Sequence, residues 1–122
     1  MKRKFSVLII DDSPIIVERL VPEIDELEQV HKVFVGYSFD EGKQLIDSTE
    51  FDIAILDINL HEKSGIDLLR YLKSIKPEVV VLMMTSDFSS EKKKACMDLG
   101  ANYFLNKFTE LENIQDIIIR LQ

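Results

Sequence analysis

The chain has 122 residues, 46% apolar and 30% charged, which suits a single folded domain with one core and argues against a disordered chain. Its 15 basic and 22 acidic residues give a net charge of −7, so no direct nucleic-acid binding is expected, because phosphate recognition needs a basic face. One cysteine, no apolar run near the roughly 20 residues of a membrane span, and strand-formers almost from Met1 lead us to expect no internal disulfide, no membrane partner, no signal peptide and a cytoplasmic location.

After a short basic cluster, Lys2, Arg3 and Lys4, the first strand, Phe5–Ile10, runs straight into Asp11 and Asp12. Pro14 then suits the first turn of a helix whose stripe is Ile16, Leu20, Ile24 and Leu27, leaving Ile15 exposed. Pro22 is expected to kink this helix or to remove one backbone bond, at about 3 kcal/mol. The second strand, Val33–Val35, ends in Gly36 and Tyr37, and Ser38 with Glu41 has the spacing of a capping box. The third, Ile53–Leu56, runs into Asp57, and Gly65 precedes a helix over Ile66–Ile75.

The fourth strand, Val79–Met84, with Met83 and Met84 as core, leads to Thr85 and Ser86. The next helix carries Lys92, Lys93 and Lys94 at its surface and Cys96 as a small buried thiol, and Gly100 stops it in a left-handed turn. The fifth strand, Tyr103–Leu105, ends at Asn106 and Lys107. Thr109 with Glu112 has capping-box spacing for a last helix whose buried face is Leu111, Ile114, Ile118 and Leu121. Met97 and Ile119 point off their helices' apolar stripes, and neither His31 nor His61 is expected to bind metal.

Strands that are apolar throughout, alternating with helices, imply an α/β fold: a doubly wound (βα)5 three-layer sandwich around a parallel sheet. Such sheets bind ligands beyond the carboxyl ends of their strands. There stand Asp11, Asp12, Asp57, Thr85, Ser86, Asn106 and Lys107. Three clustered carboxylates repel one another unless a cation neutralises them, and oxygen ligands without Cys or His favour Mg2+, with Mn2+ able to substitute. Lys107 and Thr85 then supply a charge and a donor for a phosphate, and Asp57 is the expected nucleophile.

"IIDDSP", "AILDINLHEKSGIDLL", "VLMMTS" and "LGANYFLNK" stand in the order and spacing of a known family, with Gly65 eight residues after Asp57. Over essentially all of residues 1–122 the chain resembles the response-regulator receiver domain of two-component signalling. The resemblance implies a flavodoxin-like sheet of order 2-1-3-4-5. It implies that Asp57 accepts a phosphoryl group from the phosphohistidine of a sensor histidine kinase or phosphotransfer protein. Mg2+ would be held by Asp11, Asp12, Asp57 and the backbone carbonyl of Asn59. Lys107, Thr85 and the backbone N–H groups of Asn59 and Ser86 would bind the phosphate, and Thr85 with Phe104 would form the switch. The kinase would dock on Ile15 and Phe108. Output would leave by the fourth helix, fifth strand and fifth helix, near Met97 and Ile119, toward a downstream protein, a fused output domain or, on phosphorylation, a second copy.

Three positions depart from the family pattern. Phe108 stands where a proline, often cis, usually follows the lysine, which puts the isomer of the Lys107–Phe108 bond in question. His61 replaces another proline and is expected to loosen its loop. Phe104 replaces the commoner tyrosine. Two rival readings are a haloacid-dehalogenase-type phosphatase, which needs a second aspartate where Asn59 stands, and a phosphorylation-independent interaction module. A receiver would catalyse its own phosphorylation and dephosphorylation without being a turnover enzyme.

Overall fold

The alternation of apolar strands and amphipathic helices is realised in a computed structural model that describes residues 4–61 and 63–121. Lys2 and Arg3 of the basic cluster and Gln122 lie outside the described residues. In chain order the elements are β1 (Phe5–Ile10), α1 (Pro14–Asp25), β2 (Val30–Gly36), α2 (Phe39–Ser48), β3 (Ile53–Asp57), β4 (Asn59–Leu60), β5 (Lys63–Ser64), α3 (Gly65–Ile75), β6 (Val80–Thr85), α4 (Ser90–Asp98), β7 (Tyr103–Asn106) and α5 (Asn113–Arg120).

Five strands pair in parallel in the order β2-β1-β3-β6-β7, which is 2-1-3-4-5 when the main-sheet strands alone are counted. The short β4–β5 hairpin, which the sequence reading did not foresee, stands apart as an antiparallel pair. Successive residues of a strand face opposite sides, so the central strands fill two cores. Leu8, Ile10, Ala54, Leu56, Val81 and Met83 pack on one side with Ile46, Leu68, Leu69 and Leu72 of α2 and α3. Val7, Ile9, Ile53, Ile55, Leu82 and Met84 pack on the other with Leu20 and Ile24 of α1 and Ile114 and Ile118 of α5. The chain reverses winding direction between β1 and β3, and a crevice opens at their carboxyl ends.

Several local expectations are amended. The buried side of α1 is Val17, Leu20 and Ile24; Ile16 is half-buried, and Leu27 lies beyond the helix end but packs on the same core. The helix runs through Pro22 to Asp25, so the proline removes a bond without ending the helix. Ser38 does accept the Glu41 N–H at 3.1 Å, while Glu41 reaches back to the Tyr37 N–H at 2.8 Å. Gly100 has φ +101°, the left-handed stop expected after α4.

The Thr109–Glu112 capping box does not form. α5 begins only at Asn113, and its cap residue Glu112 makes no side-chain capping bond. Asn106 explains why, because its Oδ1 accepts the N–H groups of Phe108 (2.9 Å) and Thr109 (3.3 Å), holding residues 107–112 in turns. Among the described residues no peptide bond is cis, so Lys107–Phe108 is trans, as a non-proline bond prefers.

Candidate functional site

The sheet delivers its polar residues to one place. Asp57, Thr85 and Asn106 are the last residues of β3, β6 and β7, one position beyond the strand ends read from sequence. Asp11 extends the pairing of β1 by donating its N–H to the Gly36 carbonyl at 3.1 Å, and Lys107 donates its own to Thr85 O at 2.8 Å. Asp11 is 0% exposed and Asp57 2%, so both carboxylates sit at the sheet's rim without free access to water. One oxygen each of Asp11, Asp12 and Asp57 lies within 4.8 Å of the others.

Lys107 Nζ bridges two of them, donating to Asp11 Oδ1 at 3.1 Å and Asp57 Oδ2 at 3.0 Å. Asp57 Oδ1 accepts the Asn59 N–H at 3.3 Å, and Asp11 Oδ1 accepts the Ser13 N–H at 2.8 Å. Asp12 does not cap α1; its Oδ2 meets His61 Nδ1 at 3.1 Å. One ammonium faces three carboxylates, and the electrostatics record the deficit. Burial, then the Asp11 charge, push the Asp57 carboxyl up to about 6, against the opposing Lys107 and Asn59 contacts. Burial alone would lower Lys107, but the bonds and charges of Asp11 and Asp57 outweigh it and hold its ammonium above the usual range.

A cation suits this arrangement. Asp11 Oδ2 is fully buried, with Lys107 Nζ 2.9 Å away. Three carboxylates whose oxygens lie within 4.8 Å of one another, two of them buried and sharing one ammonium, form the oxygen-only donor set that a hard divalent ion suits.

Gly65 fixes the wall behind Asp57. A Cβ built on it would stand 1.9 Å from the Asp57 carbonyl oxygen, so only glycine lets the start of α3 approach so closely. Its N–H donates to Ile58 O at 2.6 Å, and Ser64 caps the helix through the Ile66 N–H at 3.1 Å.

Thr85 is fully buried, and its hydroxyl is engaged with Asp87, donating to the carbonyl and accepting the N–H, both at 3.0 Å. Asp87 pairs with Lys92 at 2.8 Å, and Phe88 meets the buried Phe104 ring edge-on. Ser86 and Asn59 are exposed beside the carboxylates. Ile15, three residues after Asp12, is 78% exposed, and Phe108, next in chain to Lys107, is 72% exposed. Met97 and Ile119 are also exposed, whereas Cys96 is buried and its thiol is pushed up by that burial.

Sequence reasoning passed over two features. Phe88 gave no signal inside the polar stretch Ser86–Ser90. His61, with φ 59°, stands at the turn of the β4–β5 hairpin and ties it to Asp12 Oδ2 at 3.1 Å. Beside that tie lies a cavity of about 370 Å³ lined by Tyr37, Phe39, Leu60 and Lys63, at the carboxyl end of β2.

Residues 7–119 match the family model described as "Response regulator receiver domain". The nitrate/nitrite response regulator protein homolog of Haemophilus influenzae is 32% identical over 99% of this chain, which spans 58% of that protein's length. A solved signal receiver domain of a DNA-binding response regulator from Colwellia psychrerythraea superposes with a TM-score of 0.89 at 22% identity, covering 97% of this chain and 98% of that one. A Burkholderia pseudomallei response regulator, solved with a phosphorylated aspartic acid, calcium ion and citrate, gives a TM-score of 0.81 at 24% identity, over 89% of this chain and 63% of that one.

Proposed function

The chain belongs to the response regulator receiver domain family, and from that premise we propose that Asp57 accepts a phosphoryl group from a phosphohistidine in a Mg2+-dependent reaction. The observation that carries this is a buried carboxylate placed beside two others, with a buried ammonium on its Oδ2. In the transfer, a carboxylate oxygen of Asp57 forms a bond to phosphorus as the phosphorus–nitrogen bond breaks. The electron pair of that bond returns to the donor imidazole. Phosphoryl transfer demands little covalent chemistry from the protein, so placement and charge do most of the catalysis.

Asp11, Asp12, Asp57 and the Asn59 carbonyl would hold the Mg2+. Bound there, the ion supplies positive charge that offsets the oxygens of the transferring group. Lys107 moves its bond from the Asp57 carboxylate to the phosphate it then bears. Thr85 leaves Asp87 and donates its hydroxyl to the same phosphate, with the Asn59 and Ser86 N–H groups completing the cradle. Asp57 must ionise before it can attack, and cation binding favours its ionised form.

A sensor histidine kinase or phosphotransfer protein would dock on Ile15 and Phe108. Both are large, apolar and exposed next to the site, and aromatic anchors of this kind dominate interfaces. The Thr85 shift would release the β6–α4 loop and repack Phe104, altering the face of α4, β7 and α5 for a downstream protein, a fused output domain or a second copy. The domain is thus a signalling module and not a turnover enzyme.

The test is chemical mapping. After exposure to phosphoramidate and Mg2+, borohydride reduction and peptide mass spectrometry should place the converted aspartate at position 57. Conversion at any other aspartate, or none, would refute the assignment.

A further inference from the structure

Lys107 reaches Asp11 and Asp57, and Asp12 is left to a different partner. Among the described residues the side chain of Asp12 has one hydrogen-bonding neighbour, His61, whose Nδ1 lies 3.1 Å from Asp12 Oδ2. A carboxylate only accepts, so the imidazole donates. The histidine is held by backbone as well. It occupies the left-handed region, φ 59°, at the turn of the β4–β5 hairpin, whose strands pair Asn59 with Ser64 and Leu60 with Lys63. The same hairpin opens at Asn59, whose N–H donates to Asp57 Oδ1 at 3.3 Å. One short hairpin therefore grips the acidic cluster twice, Asp57 through Asn59 and Asp12 through His61.

We infer that His61 is a positioning residue for the divalent-cation site, limiting rotation of the Asp12 carboxylate through its Nδ1–H while an Asp12 oxygen stays within 4.8 Å of Asp11 and Asp57. This rests on the reading that the three carboxylates take Mg2+. The opposite sense, a histidine that draws Asp12 away from the cation, disagrees with the geometry. With the His61 bond made, Asp11, Asp12 and Asp57 still present oxygens within 4.8 Å of one another.

A carboxylate with one oxygen tied rotates less, and partners that orient a metal ligand in this way are typically worth about 10- to 100-fold in metal affinity. The His61 side chain is 89% exposed, so replacing it empties no core. The left-handed backbone narrows the useful variants. Glycine keeps the turn but has no donor, and asparagine tolerates the turn while offering an amide N–H near the Nδ1 position.

The experiment is calorimetric titration of the full chain with MgCl2, comparing wild type, His61→Gly and His61→Asn, with thermal melts of each in the absence of Mg2+. Melts close to wild type for both variants are expected, with Mg2+ affinity lowered about 10-fold in His61→Gly and restored to within about 3-fold in His61→Asn. Equal or tighter Mg2+ binding by His61→Gly, or a loss in His61→Asn as large as in His61→Gly, would overturn the inference while leaving the metal site standing. Failure of wild type to bind Mg2+ would overturn the metal reading and this inference together.

Discussion

The Phe88 ring meets Phe104 edge-on, with centroids 5.0 Å apart and planes at 64°. Phe104 is buried on β7 and Phe88 half-exposed on the β6–α4 loop, so the loop covers the ring proposed to switch. The loop is held at two further points, by Thr85 on Asp87 and by Asp87 on Lys92. For Thr85 to reach a phosphate on Asp57 these local contacts must give way. An aromatic pair of this geometry contributes about 0.5–1.5 kcal/mol beyond its buried area. Phe88→Ala should therefore favour the phosphate-bound arrangement, tightening beryllofluoride binding in the presence of Mg2+ by about 2- to 10-fold. Weaker binding would mean that Phe88 stabilises the phosphorylated arrangement instead.

Asp57 makes the fold sensitive to pH in a definite direction. Its carboxyl is raised from 3.8 to about 6 by burial and the Asp11 charge, so between these values the folded chain holds a proton that the unfolded chain has released. The ionised group thus destabilises the fold above about pH 6, and this part of the cost is relieved as pH falls toward 4. Asp57→Asn should stabilise the metal-free protein at pH 7.5, by on the order of 1–3 kcal/mol, and the gain should shrink at pH 5. Urea unfolding of both proteins at the two pH values measures it. Mg2+ affinity of the wild type should also decline below about pH 6, where a proton competes for the same oxygens.

Gly65 should be irreplaceable for a steric reason. A methyl group there would lie 1.9 Å from the Asp57 carbonyl oxygen, a backbone atom that cannot rotate aside. Gly65→Ala should lower unfolding stability by at least about 2 kcal/mol and impair phosphorylation by displacing Asp57. A variant with wild-type stability and activity would show that the α3 entry can shift freely.

Most of this site was legible because strand periodicity places polar residues at strand ends, and a doubly wound sheet gathers those ends at one rim. Asp11, Asp57, Thr85 and Lys107 could be found in that way. Contacts governed by local competition or by long chain separation could not. The Thr109–Glu112 spacing is a genuine capping signal, yet the Asn106 side chain captures the nearby N–H groups first. His61 and Asp12 are 49 residues apart, and nothing in either neighbourhood announces the other. Phe88 sits among polar residues, so its packing on Phe104 emerges only once β6 and β7 pair.

The proposed docking surface has its own check. Ile15→Ala combined with Phe108→Ala removes two exposed apolar side chains without touching the carboxylates. Phosphotransfer from the cognate kinase should slow at least 10-fold, the loss typical of hot-spot residues, while labelling by a small donor stays unchanged. Equal slowing with both donors would place the defect in the site and not in docking.

Asp57 should be the single acceptor, and the cation should be required. Intact mass after incubation with acetyl phosphate measures this directly, on wild type with Mg2+, wild type with EDTA, and Asp57→Asn with Mg2+. One added phosphoryl group is predicted for the first and none for the other two. Labelling of Asp57→Asn to the wild-type extent, or of wild type without divalent cation, would contradict the account.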